Sequence, residues 1–179
     1  MIDFGTLDRA EAQAYHEAYV AAVPDRVAWL AREVRRTGGP EAAVDGSPES
    51  LGPLWAWLRG RLEEQGGPRV DLPGRPPWYD PARPNPHLGD GALWLVDAVG
   101  CYLAVLVLSA VPDARWELYR VAKRFKDVMQ NRTVLAGSAL GRPADPARMV
   151  YTAVIRTVIH DEPWDPAALR GLYDSLVNG

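Results

Sequence analysis

A chain of 179 residues with 47% hydrophobic and 24% charged residues suits one globular domain and excludes wholesale disorder. Its net charge of −3 gives no global attraction to nucleic acid or to an anionic membrane. A single cysteine, Cys101, excludes an internal disulfide and thiol-rich zinc sites. The twenty basic residues are eighteen Arg and two Lys, beside abundant Ala, Pro and Gly. That bias reads as the habit of a GC-rich genome, so an isolated arginine carries little weight. Residues 1–5 offer no basic n-region and no apolar h-region, and a cytoplasmic setting is the expectation.

In chain order, Thr6 is placed to cap an alanine-rich helix over residues 7–22. Pro24 suits the first turn of a second helix, where Val27, Leu30, Ala31 and Val34 form one apolar stripe. Gly38-Gly39-Pro40 stops it. Ser47-Pro48 opens a third helix, with Leu51, Leu54, Trp55, Leu58 and Leu62 on one face and Gly66-Gly67 at its end. Seven prolines then fall between Pro68 and Pro86, so a loop is expected over about 68–89. Loops this long within a compact domain are usually functional or disordered. A domain linker is not expected there, because neither flank makes a complete domain.

Asp90 opens the most apolar segment, 91–111, which is long enough to raise the question of a bilayer span. Asp97 inside it, and no cluster of Lys or Arg at either end, favour a central core helix instead. Residues 115–121 alternate, with Trp116 and Leu118 on one face and Glu117, Tyr119 and Val121 on the other, as in a strand. A charged turn leads to a second extended run over 125–136, with a bulge or turn at Gln130-Asn131. Asp145-Pro146 and Asp165-Pro166 open two last helices, 146–160 and 166–177. The expected fold is α+β and predominantly helical, about six helices packed around a small antiparallel hairpin, in one domain over 1–179.

The succession SPESLGPLWAWL, LWLVDAVGCYLAVLVL and RWELY resembles small bacterial domains with no assigned function. Those carry an SPESL helix, an LGxYLGEVL-like helix and a strand opened by Trp. Ala104-Val105 stands where that pattern has Gly-Glu. The resemblance implies the same fold reading and toxin–immunity or regulatory settings; it implies no site residue.

Few residues carry chemistry. His160-Asp161-Glu162 is the densest titratable cluster, but three adjacent residues at a helix end point apart, and His160 is better read as a C-terminal cation. His16 and His87 lie far apart in the sequence, so no metal and no cofactor is expected. Asp97 shares a narrow face with Gly100, Cys101 and Ala104, where another element can approach closely. A buried ion pair with an arginine of the hairpin is the first reading of this carboxylate; a desolvated general base is the second. Cys101 is a weaker nucleophile candidate, since apolar burial raises a thiol pKa.

Six basic residues between Arg115 and Arg132, interleaved with Trp116, Tyr119 and Phe125, suit either an exposed sheet edge or single-strand binding. Trp29 and Trp57 lie on the sides of their helices opposite the apolar stripes, and Trp78-Tyr79 sits in the proline loop. Such aromatics are covered either by their own chain or by a partner. The leading expectation is a non-enzymatic interaction protein, of accessory, regulatory or immunity type. It would bind a protein partner, with a second copy of itself left open, through Trp29, Trp57, Trp78, Tyr79, Lys123, Arg124 and Lys126. A small hydrolase-like enzyme with a pocket at Asp97, and a nucleic-acid binder using residues 115–132, are the alternatives. A pocket open to Asp97 favours the enzyme, and an unbroken core favours the binder.

Overall fold

The computed structural model describes residues 2–62, 70, 72, 76–79, 85–122 and 127–178. Among these, six α-helices are α1 (Arg9–Ala21), α2 (Val23–Arg36), α3 (Leu51–Leu62), α4 (Asp90–Ala110), α5 (Pro146–His160) and α6 (Ala168–Val177). Two strands, β1 (Arg115–Leu118) and β2 (Thr133–Ala136), make one antiparallel sheet. The domain is α+β and predominantly helical.

Local signals set most element ends. Asp8, not Thr6, caps α1: its carboxylate accepts from Glu11 N at 2.9 Å while the Glu11 carboxylate accepts from Asp8 N at 2.9 Å. This reciprocal box satisfies two helix-start donors and outcompetes a lone hydroxyl. Thr6 ends a 3-10 turn over Phe4–Thr6. Pro24 lies in the first turn of α2, and Gly38, at φ 68°, follows its end. Ser47 makes no cap to α3; its hydroxyl donates to Asp45 Oδ1 at 2.7 Å, and a 3-10 turn over Pro48–Ser50 leads into the helix. Asp145 caps α5 by accepting from Arg148 N at 2.9 Å, with Pro146 in the first turn. The last helix begins at Ala168 because Asp165 Oδ1 accepts from Ala167 N at 2.9 Å, holding 165–167 in a turn.

The central element is α4, with α2, α3, α5 and α6 packed around it. By length and composition it could cross a bilayer, yet every residue from 91 to 104 is buried against the chain's own elements. It is the core helix of a globular domain. α5 crosses α4 at Gly100, where a Cβ would stand 2.4 Å from Ala147 Cα. The small-residue face of α4 therefore lets two backbones meet.

The sheet is short. β1 and β2 pair Trp116 with Leu135 and Leu118 with Thr133, and Leu135 forms an isolated bridge to Ala144 on its other side. All four β2 residues are buried. Of the expected second run over 125–136, residues 125 and 126 lie outside the described residues; within 127–136 the strand covers Thr133–Ala136, since 128–131 form a turn with Asn131 at φ 63°. Asn tolerates this left-handed conformation better than most residues. Its amide also donates to Phe4 O at 3.0 Å and Leu7 O at 3.1 Å, fastening the N-terminal segment to the turn.

Candidate functional site

Asp97 is fully buried, and its partner is Arg26 of α2 rather than an arginine of the hairpin. Arg26 Nε lies 2.7 Å from Asp97 Oδ2, with the two side chains 1% and 0% exposed. The pairing follows from the helix layout, in which α2 lies directly against α4. Tyr19 of α1 donates to Asp97 Oδ1 at 2.9 Å and stands 3.5 Å from Cys101 Sγ. The Arg26 guanidinium sits over the Tyr19 ring at 4.8 Å and over the Trp94 ring at 5.5 Å.

Burial pushes the Asp97 carboxyl up to about 6, against the opposing pull of Arg26 and the Tyr19 hydrogen bond. Burial likewise drives the Cys101 thiol far up, out of the range in which a thiolate forms. Both groups are sealed from solvent and line neither of the two surface grooves described below. A carboxylate that no substrate can reach cannot act as a general base. What this cluster does is join α1, α2 and α4 around one charge.

The aromatic candidates divide in the same direction. Trp29 is 3% exposed within the main core, and Trp78 is 4% exposed, stacked on Tyr151 at 4.6 Å and donating to Leu93 O at 3.3 Å. Neither offers a face to a partner, which corrects that expectation for both. The reason for Trp29 is that the buried face of α2 is rotated from the expected stripe: Arg26, Trp29, Leu30, Glu33 and Val34 are buried, whereas Val27 and Ala31 are only half-buried and Asp25, Ala28, Arg32 and Arg36 are exposed. Trp57, half-buried, donates to Thr37 Oγ1 at 3.0 Å and walls in Gly39 at the end of α2. Tyr79 packs partly buried beside Trp94, 6.4 Å between centroids.

Lys123, Arg124 and Lys126 lie outside the described residues. The described cations of the hairpin are engaged by the chain itself. Arg115 pairs with Glu117, Arg120 donates to Arg9 O at 3.0 Å, and Arg132 reaches Asp145 at 3.3 Å while lying over the Phe4 ring. Among the described residues no group of three or more His, Cys, Asp and Glu is placed to hold a metal ion.

An open groove of about 980 Å³ lies on the surface over α5, and no residue of the partner surface expected from the sequence lines it. Its floor is one face of α5, where Arg148, Thr152 and Arg156 fall at i, i+4 and i+8 beside Met149 and Ala153. Leu172, Ser175 and Leu176 of α6 form one wall, and the 140–145 loop forms the other. Tyr119, Val128 and Met129 close the end, with Val128 74% exposed. A smaller groove of about 450 Å³ adjoins it, sharing Val128 and Arg148. The arginine column of α5 was readable in the sequence; the apolar walls brought to it by α6 and the turn were not.

Three arginines line the large groove against one carboxylate, Asp145, which is 7% exposed and already held by Arg132 and Arg148 N. Arg156 is paired with Glu162 at 3.0 Å. Arg142 and Arg148 form no ion pair with a carboxylate among the described residues, although the Arg148 charge acts on the buried Asp145 carboxylate; the Arg148 guanidinium rests 3.8 Å from Met129 Sδ. Comparison with family models, with curated proteins and with solved structures finds no match for this chain.

Proposed function

We propose that this protein is a non-enzymatic interaction protein, accessory or regulatory in kind, that binds a protein partner along the α5–α6 groove. The observation that carries the reading is a contrast in exposure. The one acid that the sequence offered as a catalytic base is 0% exposed and paired, while the open groove combines apolar walls with two arginines, Arg142 and Arg148, that form no ion pair with a carboxylate among the described residues. Enclosed small-molecule sites surround most of their ligand, whereas an open apolar groove with a polar rim suits a protein segment. A cytoplasmic setting is part of this proposal.

The test is a photo-crosslinking amino acid at Thr152, in the groove floor, and at the exposed Gln13 of α1 as control, in cells of the source organism. A discrete protein adduct is expected at Thr152 and not at Gln13, and it should vanish when Arg148→Glu is added. Equal labelling at both positions, or an adduct to nucleic acid, would overturn the reading.

A further inference from the structure

From the charge and apolar layout of the groove we infer that its occupant is an acidic amphipathic segment of the partner, with large apolar side chains interleaved with carboxylates. This rests on the groove being the partner surface. Arg142 lies in the loop just before α5, and Arg148 is in the first turn of that helix, so both cations belong to its N-terminal end. Beside and beyond them, Met149, Ala153, Leu172 and Leu176 give the lining apolar surface among Thr152, Ser175 and Arg156, the last already paired with Glu162. Carboxylates of the segment meet the two arginines, where bidentate pairing is open to the guanidinium fork. Its apolar anchors lie over Met149 and between α5 and α6, and methionine adapts to their shape.

Length agrees with a short segment. From Arg148 to Arg156 the floor runs about 12 Å at 1.5 Å per residue, enough for roughly two turns of helix. Exposed Val128 at the closed end supplies one more apolar contact. The chain as a whole carries a net charge of −3, so attraction of an acidic partner is a local property of this groove and is sensitive to salt. A basic or neutral polar segment would leave the two guanidiniums desolvated without a counter-charge, which disfavours it.

A random peptide display library panned on the full chain, with counter-selection on Thr152→Trp to plug the groove, tests this. Thr152 is exposed, so the plug leaves the core intact, and the thermal midpoint verifies it. The expected enriched peptides carry two or more Asp or Glu among Leu, Ile, Phe or Trp. The best of them should lose about tenfold or more in affinity on Arg142→Glu/Arg148→Glu and weaken at high salt. Exchanging its acids for lysine should restore binding to the double variant. Enrichment of neutral or basic peptides that the plug excludes would overturn the acidic assignment and leave the groove reading standing. No plug-sensitive peptide at all would overturn both.

Discussion

Arg26 of α2 and Asp97 of α4 form an ion pair 2.7 Å long with both side chains removed from water, and this single charge pair ties three helices together through Tyr19. Buried pairs gain little over well-packed apolar residues, but breaking one strands a charge and costs about 3–5 kcal/mol.

Arg26→Met is therefore expected to destabilise the fold, and by an amount that depends on pH. The folded-state pKa of Asp97, about 6, lies above the ordinary 3.8, so protonation of this group favours the folded chain. Its contribution is fully present below about pH 4 and is lost as pH rises through 6. Without Arg26 the carboxyl rises further, so the loss extends to higher pH. Urea unfolding at pH 5 and pH 8 should show a wider gap between variant and wild type at pH 8, about 3–5 kcal/mol there. Arg26→Met/Asp97→Leu should regain most of it. A gap that stays constant or narrows at pH 8 would contradict the account.

Gly100→Ala places a Cβ 2.4 Å from Ala147 Cα, a backbone atom that cannot rotate away. A loss of about 1–3 kcal/mol is expected from forcing α4 and α5 apart. Gly171→Ala in α6 meets nothing within 4 Å and should instead gain about 0.5–1 kcal/mol from helix propensity. Chemical denaturation of the two variants side by side checks the contrast, and equal effects would dispose of it.

Cys101 is fully buried, and its thiol is pushed far up by that burial. A thiol-specific chromogenic reagent should leave the native chain unlabelled and titrate one thiol per chain after unfolding. Fast labelling of native protein would mean that the α1–α2–α4 cluster opens to solvent.

Asn131→Ala removes both amide donors to Phe4 O and Leu7 O and puts a Cβ-branch-free but still chiral residue at φ 63°. A cost of about 2 kcal/mol is expected from lost hydrogen bonds and backbone strain. Asn131→Gly should cost less than Asn131→Ala if the strain contributes. The difference in denaturation midpoint decides.

Several features were legible in the sequence because their causes are local. Asp145-Pro146, the Gly38-Gly39-Pro40 stop and the limits of α4 act through capping, fixed φ or left-handed backbone within a few residues. Asp97 and its small-residue neighbours also read correctly as a place of close approach and charge pairing. The identity of its partner did not, because eighteen arginines look alike to a local rule and only the packing of α2 on α4 selects Arg26. Trp29 and Trp78 could be assigned neither to the core nor to the surface, because packing turned the buried face of α2 toward Trp29 and brought Tyr151 of α5 onto Trp78. The groove is the most purely tertiary feature, since its floor, walls and closing turn come from α5, α6 and two loops that sequence separates. Helix starts are decided by neighbours along the chain, whereas a surface is decided by which faces the core has already consumed.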